Sequence, residues 1–176
     1  GWGIYMNGVT SNTVLGNVLG LQADGITNSA NSIAQYNIAL YNGSTNNVIG
    51  GSSSAHRNII SMASQFGVYL DGAATSANQI KGNYIGIGSD GATASGYQEY
   101  GVYLTNSTNN NTIGGTATGE GNVISGNIDG GTNGYGVYIN GVSSNTLVGN
   151  VIGPTATGAA AVTSSTQKHG IYLANG

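Results

Sequence analysis

A block of about 34 residues recurs along this chain, and that period limits the possible folds more than any other feature. Each copy opens with Gly, once Asn: GIYM from Gly3, NIAL from Asn37, GVYL from Gly67 and Gly101, GVYI from Gly136 and GIYL from Gly170. Successive openings lie 34, 30, 34, 35 and 34 residues apart. Five units, approximately 3–36, 37–66, 67–100, 101–135 and 136–169, are followed by the start of a sixth at 170–176. A repeat of this length signals a solenoid, in which one coil cannot bury its apolar face without its neighbours.

Each unit carries three short apolar segments. In the first, alternate positions are aliphatic (Ile4, Ile38, Val68, Val102, Val137, Ile171 and, two on, Met6, Leu40, Leu70, Leu104, Ile139, Leu173). This is the period-2 mark of a strand with one buried face. The second and third segments both begin with Asn: Asn12, Asn47, Asn78, Asn111 and Asn145, then Asn17, Asn58, Asn83, Asn122 and Asn150. An aliphatic residue sits two places after each. Three strands per turn with Asn at two bends describe a triangular coil, and no 3.6-residue apolar period supports a helical solenoid.

Asn suits a bend because it tolerates left-handed backbone. Stacked one coil above another, its amides can bond in ladders along the axis. The expected fold is therefore an all-β parallel β-helix of about five coils with uncapped ends, and the variable loop lengths favour the right-handed form. Units alternate in kind. In the first, third and fifth the two Asn are 5 residues apart and an excursion follows the third strand. In the second and fourth they are 11 apart, with an insert before it.

Only 5 % of residues are charged, and the net charge is −3. Arg57, Lys81 and Lys168 cannot neutralise a phosphate backbone, which excludes nucleic acid as a natural partner. No apolar run reaches the ~20 residues of a membrane span.

The strings NTIGGTATGEGNVISGN (111–127), SNTLVGNVIGPTATGAA (144–160) and SNTVLGNVLGLQADG (11–25) resemble the two-coil right-handed β-helix repeats of very large bacterial surface and secreted proteins. The resemblance covers essentially the whole chain. It implies an extracellular or cell-surface, elongated, adhesive or filament-forming molecule, without implying an activity. Pro154 and Gly88 depart from the family's Thr-Asp in the excursions.

The residues for acid–base chemistry are few: Asp24, Asp71, Asp90, Asp129, Glu99, Glu120, His56 and His169. Asp24 and Asp90 share a column, but each precedes Gly and reads as an Asp-Gly turn. No nucleophile elbow, phosphate loop or zinc motif is present. No catalytic residue, metal ligand or cofactor is expected. The strongest surface feature is aromatic: Tyr5, Tyr69, Tyr103, Tyr138 and Tyr172 form an outward column with a gap at Ala39. Before each opening residue stands Trp2, Tyr36, Phe66, Tyr100, Tyr135 or His169, to which strict alternation gives inward parity.

A structural and adhesive module is the leading expectation, joined end to end to a second copy or continuing as a longer chain. The alternatives are a polysaccharide lyase, epimerase or hydrolase, and a carbohydrate-binding rod using the Tyr column.

Overall fold

A computed structural model describes residues 1–29, 34–94, 97–128, 134–160, 162 and 167–175. The chain winds into a parallel β-helix of about five turns built on three sheets. The first sheet contains β1 (Trp2–Asn7), β4 (Tyr36–Tyr41), β7 (Phe66–Asp71), β10 (Tyr100–Thr105), β13 (Tyr135–Asn140) and β16 (His169–Ala174), in that order. The second holds β2 (Thr13–Val14), β5 (Val48–Gly50), β8 (Gln79–Lys81), β11 (Thr112–Gly114) and β14 (Thr146–Val148). The third holds β3 (Val18–Leu19), β6 (Ile59–Ile60), β9 (Tyr84–Ile85), β12 (Val123–Ile124) and β15 (Val151–Ile152). A 3₁₀ turn, Ser54–His56, lies in the insert of the second coil.

Register places like over like. Val68 pairs with Val102 and Val102 with Val137, Ile80 with Ile113, and Ile85 with Ile124. The side chains that meet inside the triangle are therefore four aliphatic piles, two from the first sheet and one from each of the others, among them Ile38, Leu40, Ile49, Ile60, Leu70, Ile80, Ile85, Leu104, Ile113 and Ile124, all fully buried. Burying each such side chain stabilises the coil by ~1.5–3 kcal/mol. β1 and β16 each pair on one side only, and in β16 Ile171 and Leu173 remain 51 % and 71 % exposed.

Two expectations need correction. The left-handed residue at the first bend is the one before the ladder Asn (Ser11, Asn46, Ala77, Asn110 and Ser144, φ 54–59°), while the ladder Asn itself keeps negative φ. The Asn is thus selected for its amide and not for its backbone freedom.

The ring before each opening Gly also departs from the expected inward parity. Tyr100 packs edge-on against the outward Tyr103 at 5.0 Å, and Tyr135 against Tyr138 at 5.1 Å, so the ring before each opening Gly faces out. Alternation breaks at the Gly. A Cβ on Gly101 would lie 2.7 Å from Ile124 Cγ2 in the core, although Val102 beside it also points inward. Two consecutive inward positions move the preceding ring to the outer face, as at a bulge.

Excursions and inserts leave the triangle on opposite sides of the third strand. Excursions two coils apart reach each other, with Ser89 N–H donating to Gly25 O and Ala156 N–H to Gly91 O, both at 2.8 Å. Among the described residues, no helix is long and apolar enough to cross a membrane.

Candidate interaction face and the ladders beneath it

Both Asn columns form continuous rows. In the first, the backbone N–H and the side-chain Nδ2 of each Asn donate to Oδ1 of the next: Asn12 to Asn47, Asn47 to Asn78, Asn78 to Asn111 and Asn111 to Asn145, at 2.9–3.1 Å. The second runs the same way through Asn17, Asn58, Asn83, Asn122 and Asn150 at 2.9–3.2 Å. The other Nδ2 proton returns to a carbonyl of the preceding coil, as from Asn78 to Ser44 O at 2.8 Å and from Asn122 to Ile80 O at 2.7 Å. Every donor and acceptor of an interior amide is thus used, which is what permits Asn47, Asn58, Asn78, Asn83, Asn111 and Asn122 to be fully buried.

A third polar row escaped the sequence reading. Asn37 Nδ2 donates to Ser61 O at 2.7 Å and approaches Gln98 Oε1 at 3.4 Å. Gln98 Nε2 donates to Asn127 Oδ1, and Asn127 Nδ2 to Gln167 Oε1, both at 2.8 Å. These amides lie against the opening Gly of their own coils: a Cβ on Gly67 would be 2.5 Å from Gln98 Nε2, and one on Gly136 would be 2.7 Å from Gln167 Nε2. In the second coil Asn37 replaces the Gly and supplies the amide from the strand itself. Gln two places before the ring at Tyr100 and at His169 was the available signal.

The outward rings form two columns. One runs Trp2, Tyr36, Phe66, Tyr100, Tyr135, His169; from Tyr36 onward the centroids are 4.9–5.1 Å apart with planes within 9–14°. The other contains Tyr5, Tyr69, Tyr103, Tyr138 and Tyr172, and the gap at the buried Ala39 is filled by Tyr41, whose ring lies 5.5 Å from Tyr5 and 5.4 Å from Tyr69. Tyr41 has the same outward parity as Ala39, two residues on. Rings of the two columns meet edge to face, at 73° for Tyr100–Tyr103 and 84° for Tyr135–Tyr138. The result is a herringbone, the arrangement that the ring quadrupole favours.

Burial first, and then neighbouring phenols and carboxylates, push the Tyr41, Tyr69 and Tyr100 hydroxyls well above the ordinary phenol value; Tyr138 is raised as well. A folded pKa above the unfolded one gives stability that is complete below the ordinary value of 10.0 and is lost as pH rises beyond it. The expected result is cooperative alkaline unfolding, with tyrosinate absorbance and circular dichroism changing together above pH ~10. Gradual phenol ionisation in a still-folded chain would contradict it.

Asp24 and Asp90 serve local structure. Asp24 Oδ1 accepts from Ile26 N–H and Thr27 N–H at 2.8 Å and Oδ2 from the Thr27 hydroxyl. Asp90 repeats this with Ala92 and Thr93. The Thr27 hydroxyl holds Asp24 below its usual range. At Asp90 slight burial pushes upward, but the Thr93 hydroxyl and the two N–H groups outweigh it. In the fifth coil the Thr157 hydroxyl takes the same place. Depressed carboxyl pKa values give stability that is lost as pH falls through them. Melting temperature should stay flat from neutral pH down to ~4 and drop below that, and Asp24→Ala with Asp90→Ala should flatten much of the acid drop. Lys81 Nζ meets Glu120 Oε1 at 2.8 Å, and this bond holds the Glu120 carboxyl low. Asp129 lies outside the described residues.

Compared with known protein families, curated proteins and solved structures, the chain matches none.

Proposed function

We propose that this chain is a structural and adhesive element of an extracellular or cell-surface filament, a stiff beam whose coils continue into further coils, of a second copy or of a longer chain. The observation that carries this reading is that both Asn rows and both ring columns repeat from coil to coil, so that the same contacts would seat a further coil. An unpaired parallel edge is a template for one more coil, and a head-to-tail contact of this kind does not close into a ring.

The ring columns favour the beam over a sugar-stacking rod. Interior rings cover one another's faces and present only edges and hydroxyls outward, whereas a sugar packs its C–H face on an open ring face. The Asp24 and Asp90 carboxylates, which share a column, are spent on their own turns, which argues against a polysaccharide-cleaving pair there.

At rising concentration the isolated chain should form rods of increasing length in electron micrographs and in sedimentation. Ile171→Lys with Leu173→Lys should hold it as single particles with an unchanged circular dichroism spectrum. Single particles at every concentration, or depolymerisation of alginate- or pectin-like polymers by the chain, would overturn the proposal.

A further inference from the structure

The outer surface of the third sheet lies between two loop walls: the inserts 51–57 and 115–121 precede its strands, and the excursions 87–94 and 154–160 follow them. Between the walls is a cleft of about 530 Å³, lined by Arg57, Tyr84, Thr116, Thr118, Val123 and Val151 among others. That is a size typical of small-molecule sites.

Where the first insert ends in Arg57, the second ends in Gly121. Arg57 and Gly121 each precede a ladder Asn, Asn58 and Asn122, and so stand two coils apart in one column. A Cβ on Gly121 would lie 2.0 Å from Gly149 O, so no side chain can stand there, and the room that a second Arg would fill stays open.

Arg57 is set for recognition. Its guanidinium carbon lies 4.0 Å from the centre of the Tyr84 ring, and its Nε donates to Gly82 O at 3.3 Å. A guanidinium lying over an aromatic face and tied at Nε keeps its outer fork fixed, ready for a planar bidentate acceptor. Among the described residues no carboxylate is within ion-pair range of Arg57, and the nearby Glu120 is bonded to Lys81.

We infer that this cleft binds a hexuronate unit of an acidic polysaccharide. Arg57 holds the carboxylate, the Thr116 and Thr118 hydroxyls meet ring hydroxyls, and Val123 and Val151 lie under the C–H face. A bare anion would leave the apolar floor and most of the volume unused, and a neutral sugar would leave Arg57 unanswered. The site lies away from the ring columns, on the outer surface of the third sheet, and reaches as far as β15 at that sheet's edge. It extends the adhesive reading to a ligand, yet it stands whether or not coils stack end to end.

The test is an NMR titration of the isotope-labelled chain with glucuronate, glucose and sulfate. Glucuronate should shift the amides of 115–121 and the Arg57 Nε–H, with affinity about tenfold or more above that of glucose, the worth of a charge-assisted bond. Arg57→Gln should erase that difference while leaving the ladder amides unmoved, and Arg57→Lys, charged but without the fork, should fall between. Equal response to glucuronate and glucose would overturn the inference, as would sulfate binding as tightly as glucuronate, or glucuronate shifts confined to the ring columns. The wild-type comparison decides even if a variant fails to fold.

Discussion

Asn78→Ala should destabilise the chain by about 3 kcal/mol, because it strands two buried donors at ~1–3 kcal/mol each. The Asn47 N–H and the Asn47 amide lose their common acceptor, and Ser44 O keeps only the longer bond from Ser76 N–H. All of these groups are fully buried or at the buried bend, so water cannot replace the missing partner. The same change at Asn12, which is exposed at the open end of the row, should cost ~1 kcal/mol or less. Asn78→Asp separates shape from chemistry. A carboxylate keeps the acceptor but turns both donors into lone pairs facing Asn111 Oδ1 and Ser44 O. Its folded pKa should rise, so the variant should be weakest at neutral pH and regain stability as pH falls, opposite to the native acid response. Urea titrations read by circular dichroism at two pH values check both changes.

Gly101→Ala should cost about 3 kcal/mol, at the upper end of what overpacking does in a rigid core. The new methyl would lie 2.5 Å from Gly136 O, 2.7 Å from Ile124 Cγ2 and 2.9 Å from Asn127 Nδ2; two of these belong to backbone or core that cannot move without shifting the next coil. The second coil shows how the clash is resolved, since Asn37 stands at the opening position there and performs the work of the inner amide. Gly101→Asn alone should therefore be strongly destabilising, and adding Asn127→Gly should recover part of the loss. A double-mutant cycle with no coupling between the two positions would contradict the assignment of the third polar row.

These residues also show where a sequence of this kind can be read and where it cannot. The aliphatic piles and both Asn rows were legible because each coil repeats the same side chain at the same offset, so periodicity maps directly onto height along the axis. The ring before each opening Gly was misplaced because counting by twos presumes unbroken alternation, and the Gly inserts one extra inward position. Tyr41 closes a gap two residues from where the column lapses, and the third amide row draws on Asn37, Gln98, Asn127 and Gln167 from unequal offsets. In both, the space is filled by reach and not by register. The Arg57 cleft was invisible for a related reason: it depends on Gly121 lying against a carbonyl of a coil 28 residues further on, Gly149, and no local pattern records that approach.

Interior Asn amides bonded from coil to coil hold the helix together, and hydrogen exchange of side-chain NH₂ groups measures this directly. By NMR, the Asn47, Asn78, Asn111, Asn58, Asn83 and Asn122 amides should exchange orders of magnitude more slowly than those of the exposed Asn106 and Asn7, in step with the backbone of the central strands. Exchange of those six at the rate of the exposed amides, while the strand backbone stays protected, would mean that the coils are held without the ladders, and the account would be wrong.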